Sequence, residues 1–175
     1  MSFAQTTVSI AQSLLAELDQ ESANTRKVLD RCPEAKYAWT PHPKSWTMAA
    51  LATHIAHMTG WGVLTLNQDS FDYAPVGAEP YKEEPVKSRQ ELLEKFDKNI
   101  AGFRAALAAA TDQQLLAPWS LLAGGKPVFT MPRVAVLRGM IFNHTIHHRA
   151  QLTIYLRLND VPVPALYGPS ADEQG

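Results

Sequence analysis

The chain has 175 residues, 46% apolar and 19% charged, with a net charge of -1 and a pI near 6.6. That length suits one domain, expected over 1–175, with one sizeable core, and the apolar content excludes a disordered chain. A balanced charge without a Lys/Arg cluster excludes a nucleic-acid footprint, and no uncharged run approaches the roughly 18 apolar residues of a membrane span.

In chain order, Phe3 to Leu29 spaces Val8, Ile10, Leu14, Leu15, Leu18 and Val28 between polar residues, which predicts a first helix stopped by Cys32-Pro33. Met1 to Gln20 lacks the basic and apolar regions of a signal peptide. The single Cys32 excludes an internal disulfide framework and fits a reducing compartment, so a cytoplasmic location is expected. Cys32 reads either as a reactive thiol or as a packing residue at a helix end. Thr40 to Ser45 is an extended connector, and Thr47 opens a second helix reaching about Gln68. Asp69 to Pro85, with three prolines, a glycine and several acids, reads as a long surface loop. Ser88-Arg89-Gln90-Glu91 is a capping box that starts a third helix ending near Ala110, and Thr111-Asp112-Gln113-Gln114 is another, for a short helical turn. Trp119 to Leu122 and Pro127 to Thr130 flank Gly124-Gly125 as a small hairpin. Pro132 suits the first turn of a fourth helix, ended near Leu158 by Asn159 and Pro162. The expected fold is all-α, a four-helix bundle with a short hairpin before the last helix.

Six histidines hold the candidate chemistry. At about 100° per residue, Val134, Leu137, Ile141, Leu152 and Tyr155 share one stripe of the fourth helix, and His144 and His148 lie on it. Their i, i+4 spacing lets both imidazoles reach one ion. In the second helix Leu51, Met58 and Trp61 mark the inward stripe, with His54 between them. His57 and His147 fall off-centre. A histidine on an apolar face is often simply a hydrogen-bonded core residue, and a pair at i, i+4 can bond to each other. Three together each need a polar partner, at a cost of about 1–3 kcal/mol where one is missing, and a shared metal satisfies all three. Three nitrogens suit Zn, Ni, Fe or Cu better than Mg or Ca, and three protein ligands leave a position open for water or a thiolate.

At these residues the chain resembles the DinB-like (damage-inducible) metalloprotein superfamily. The resemblance is carried by Asn143-His144-Thr145-Ile146-His147-His148-Arg149-Ala150-Gln151-Leu152, then Tyr155-Leu156-Arg157 and Val161-Pro162-Val163-Pro164, and by Ser45-Trp46-Thr47 through His54-Ile55-Ala56. Ala150 stands where glycine is frequent in that family. The resemblance implies an up-up-down-down bundle, a homodimer, and a Zn or Ni ion on His54, His144 and His148. It also points to a small-molecule substrate and to thiol-dependent S-transferases or a mycothiol-dependent maleylpyruvate isomerase, with a low-molecular-weight thiol as co-substrate.

Gln151 and Tyr155 continue the histidine face and are pocket candidates, as are Trp61, His57 and His147, although Tyr155 and Trp61 read equally as core. Asp69, Asp72, Glu79, Glu83 and Glu84 offer a fourth ligand or, more simply, a solvated acidic loop. Arg149 and Arg157 fit an anionic substrate or structural ion pairs, and His42 is expected to be exposed. The functional expectation is a metal-dependent transferase using an external thiol. The alternatives are a metal-dependent hydrolase with His57 or His147 as base, and a non-enzymatic metal-binding stress protein.

Overall fold

The computed structural model describes residues 8–174. The first helix, α1, spans Ile10–Asp30 and starts at a capping box the sequence reading overlooked. Ser9 Oγ accepts from the Gln12 amide at 3.1 Å, while Gln12 Oε1 accepts from the Ser9 amide at 3.0 Å. Val8 therefore lies outside the helix and is exposed; the expected start at Phe3 lies outside the described residues.

The expected second helix is two helices. In α2, Met48–Met58, Thr47 caps the first turn; α3 is Trp61–Asn67. The break at Thr59-Gly60 frees the Ala56 carbonyl, which accepts from Thr59 Oγ1 at 2.8 Å and from Asn99 Nδ2 at 2.9 Å. Gly62 then lets the Phe103 ring approach so closely that an added Cβ would lie 2.3 Å from it. Gly62→Ala is accordingly expected to destabilise the protein by about 1–3 kcal/mol through overpacking, read as a lower urea midpoint; an unchanged midpoint would contradict this packing.

Both N-caps after the loop form, but without the reciprocal bond of a full capping box: Glu91 Oε2 accepts from the Lys87 amide, and Gln114 Nε2 donates to the Leu66 carbonyl. Ser88 Oγ accepts from Glu91 N ahead of α4, Arg89–Ala109, and Thr111 Oγ1 from Gln114 N ahead of α5, Asp112–Leu116. The all-α expectation is corrected: the protein is mostly helical with a small three-stranded sheet. Strand β1, Ser70–Asp72, arises within the expected loop and runs parallel to β2, Pro118–Ala123, which pairs antiparallel with β3, Lys126–Pro132. Gly124 and Gly125 at φ 60° and 75° make the tight turn between β2 and β3.

The expected fourth helix begins as α6, Arg133–Val136, widens into a π-helical segment, Leu137–Asn143, and continues as α7, His144–Leu158. The helix α1 packs against α4 and α7, and α2 packs against the same two. One core cluster joins α2 to α7 through Leu51, Ile55, Leu152 and Leu156, and a second surrounds Phe103, Leu137 and Ile141. The sheet is held through Trp119, Leu121 and Val136. No helix among the described residues is long and apolar enough to cross a membrane.

Candidate metal centre

The helix α2 is buried almost all round, and His54 lies with Ala50 and His57 on its least covered face. In α7 the buried line is Thr145, Arg149, Leu152 and Leu156, so His144 and His148 lie on its flank. The expectation that these histidines occupy the centres of core-facing stripes is thus corrected. They occupy the seam between α2 and α7, half-buried, where a cleft opens.

The structure brings His54, His144 and His148 together, one ring nitrogen of each within 4.8 Å of the others. His148 Nε2 and His144 Nε2 are 2.8 Å apart. The remaining nitrogens have partners of one kind. His148 Nδ1 faces Gln151 Oε1 at 2.7 Å, His54 Nδ1 faces Glu83 Oε2 at 3.2 Å, and His144 hydrogen-bonds the Met140 carbonyl. Each acceptor holds a ring proton on the outer side, which turns a lone pair inward. His54 Nε2 is buried without a partner. Lone pairs converging this closely need a positive charge among them. A divalent ion with Zn–N bonds of about 2.0–2.1 Å fits such a donor set, and oxygen acceptors behind ligating histidines are the usual support.

Burial first, then the neighbouring imidazoles, pushes the pKa of His148 down to about 4 despite the support of Gln151. Burial and His54 lower that of His144. Both rings are neutral near pH 7, the form that binds metal. Burial also lowers the pKa of His57, against the pull of Glu83.

Two cavities meet at Trp46, which was quoted in the sequence motif without being assigned to the site. Trp46 packs on His148 and His54 at ring-centroid distances of 5.5 and 4.9 Å. One cavity, of about 430 Å³, is lined by Lys44, Ser45, His148, Gln151 and Tyr155; the other, of about 400 Å³, by Thr53, His54, Trp61, Tyr81 and Glu83. Gln151, Tyr155 and Trp61 therefore do face the cleft. The Tyr155 hydroxyl donates to the Trp46 carbonyl at 3.2 Å. His57 faces the Tyr81 hydroxyl, and His147 is exposed, with its ring 4.9 Å from that of His148.

Tyr81 and Glu83 come from the segment read as a solvated loop. Its end is docked: Val86 is buried, and its amide donates to Thr53 Oγ1 at 2.9 Å, which delivers Glu83 to His54. The apolar Val86 behind an acidic run was the available signal. Of the other acids, Asp69 pairs with Arg133, Asp72 accepts from the Ala74 and Gly125 amides, Glu79 is exposed, and Glu84 pairs with Lys82 at the surface. His42 is exposed, and Arg157 pairs with Asp172. Cys32 is fully buried, its thiol pKa pushed up to about 12 by burial, which favours the packing reading. Glu83→Ala is expected to weaken metal binding about 10–100-fold by releasing His54, measured by competition with a chromophoric chelator. Unchanged affinity would remove Glu83 from the site.

Residues 17–152 match the model of the DinB superfamily. The uncharacterized protein YrdA of Bacillus subtilis is 28% identical over 154 residues, 87% of this chain and 85% of YrdA. Among solved structures, a DinB-like protein of Bacillus cereus superposes with a TM-score of 0.68 at 23% identity, over 91% of this chain and 98% of its own. The DinB-like protein YjoA of Bacillus subtilis gives 0.65 at 16% identity, over 87% and 96%. At these identities the structural likeness shows the fold.

Proposed function

The chain belongs to the DinB superfamily, and we propose that it is a metal-dependent enzyme that joins a small thiol to a small electrophilic substrate. The observation that carries this reading is the convergence of three imidazole lone pairs, including the buried and partnerless His54 Nε2, at the junction of two cavities. Among the described residues the ligand cluster holds three members, which leaves a position for an exogenous ligand. That favours chemistry over a closed structural ion. A Zn or Ni ion bound there supplies Lewis acidity, lowering the pKa of a thiol or water that reaches it.

The protein's own contribution is placement. Glu83 and Gln151 fix the rings of His54 and His148. The indole of Trp46 divides the cleft into two polar chambers, each large enough for a small reactant or part of one. Lys44 beside one chamber and Lys82 beside the other offer positive charge to carboxylate groups on the reactants. In the transfer the thiol sulfur forms a C–S bond, the leaving group departs with the bonding pair, and the thiol proton goes to solvent. No cysteine lies in the cleft, so the thiol is external.

The test is a metal-loaded screen pairing low-molecular-weight thiols with a chlorodinitroarene electrophile, followed by absorbance. The reading predicts transfer that needs the metal and is lost in His148→Ala. Ester or amide hydrolysis without thiol transfer would replace it with the hydrolase reading, which His57 beside Tyr81 at the cavity edge favours as a proton acceptor.

A homodimer is also proposed. Ile154 and Leu158, 59% and 58% exposed on the outer face of α7, offer apolar surface for a second copy. Light scattering should give about twice the 19.3 kDa chain mass; a mass near one chain at micromolar concentration would contradict it.

A further inference from the structure

A third cavity, of about 240 Å³, lies behind the histidines on the sheet side. Its floor is His54 and His144, and its walls are Met58 of α2, Trp61 of α3, Tyr73 after β1, Leu121 of β2 and Met140 of the π-helical segment. Three features not expected from the sequence meet here, the α2–α3 break, the end of β1 and the π-helical segment, beside Leu121 of the expected hairpin. Apart from the two imidazoles and the Tyr73 hydroxyl, its lining side chains present no oxygen or nitrogen other than the Trp61 indole. The two cavities at Trp46 differ, since Lys44, Ser45 and Gln151 line one, and Thr53, Lys82 and Glu83 the other.

The third cavity is a largely apolar hollow, open to solvent beside Tyr73 and closed at its base by the two imidazoles. An engineered apolar cavity of about 150 Å³ accepts benzene, so this one suits an aryl group or a chain of roughly six to ten heavy atoms. The two imidazoles form its floor, and the opposite wall is the apolar Leu121, which orients an occupant with its donor atom on the histidines and its hydrocarbon toward Leu121.

We propose that this chamber binds the apolar body of a ligand whose donor atom is directed at His54 and His144, the ligand being an alkyl or aryl thiol. The inference rests on the metal-dependent reading for what the donor meets, and on the cavity alone for the apolar body. Charged parts of the second reactant belong in the polar cavities beside Trp46.

Cobalt(II)-loaded protein titrated with ethane-, butane- and hexanethiol reports binding through its visible thiolate band. Affinity is expected to rise about three- to fourfold per added methylene. Leu121→Trp, which fills the chamber, and Tyr73→Arg at its mouth should keep cobalt uptake and flatten that dependence. Tyr73 is partly exposed, so this variant carries the test should Leu121→Trp fail to fold. Affinity independent of chain length, or a dependence unaltered in the folded variants, would overturn the proposal. If the wild type takes up no cobalt, the metal reading fails by itself. Toluene added to metal-free protein then decides the chamber: shifted Met58 and Met140 methyl resonances support it, and unshifted ones overturn it.

Discussion

His148→Ala is expected to lower metal affinity by more than the roughly 10–100-fold that loss of a supporting partner costs, while His147→Ala leaves it nearly unchanged. His148 stands at the centre of the cluster. Its Nε2 is 2.8 Å from that of His144, its ring centroid is 4.9 Å from that of His54, and Gln151 fixes its tautomer. His147, one residue earlier, points to solvent. In the metal-free protein His148 is half-buried and its Nδ1 is held by Gln151 alone, so removing it should leave the helical circular-dichroism spectrum intact. Affinity is measured by chelator competition on both variants under identical conditions. Equal losses for His147→Ala and His148→Ala, with both folded, would reject the assignment of ligands.

The largest loss of stability is expected from Arg149→Met. Arg149 is 1% exposed and lies one residue beyond His148, on the side of α7 that faces α1. Its guanidinium forms an ion pair with Glu21 Oε2 at 2.7 Å and donates to the Glu21 carbonyl and Thr25 Oγ1 at 3.1 Å each, and to the Tyr167 hydroxyl. Tyr167 in turn donates to Glu21 Oε2 at 2.8 Å, so one arginine ties α7, α1 and the C-terminal segment together. Truncation leaves the Glu21 carboxylate, 12% exposed, without its counter-charge. Breaking a buried pair in this way costs about 3–5 kcal/mol. The double variant Arg149→Met with Glu21→Met should recover much of that loss, because it removes the stranded charge. Urea unfolding of the metal-free proteins measures both. A loss below about 1 kcal/mol for the single variant, within the range of surface pairs, would contradict the structural role and reopen an anion-binding one.

This arginine also explains where sequence reasoning stopped. Hydrophobic phase assumes that the buried line of a helix is apolar. In α7 that line contains Thr145 and Arg149, so the apolar pattern pointed one residue away, toward His144 and His148 themselves. The three histidines named from phase are the three that converge, but they converge at a seam. Local signals were readable where they are chemical: the Ser88 and Thr111 caps, the Gly124-Gly125 turn and the stop after Leu158 all appear. Signals that depend on distant partners were not. The β1 strand is three residues long and exists because Phe71 pairs beside Leu121, fifty residues on. The α2–α3 break depends on Asn99 from α4, and the single Gly60 is a weak marker within a helical pattern. The π-helical turn before His144 carries the same apolar residues an α-helix would. Glu83 and Tyr81 reach the cleft because Val86 anchors their segment to Thr53, a contact between residues 33 apart.

The central claim is that three imidazoles form one metal site. Protein purified without an affinity tag, loaded with Zn or Ni and desalted, tests it most directly through elemental analysis with X-ray absorption at the metal edge. The account predicts one ion per chain with three imidazole nitrogens in its coordination sphere, and no such ion in the His54→Ala, His144→Ala or His148→Ala proteins. A wild-type chain that retains no ion, or one whose bound ion survives all three substitutions, would contradict it.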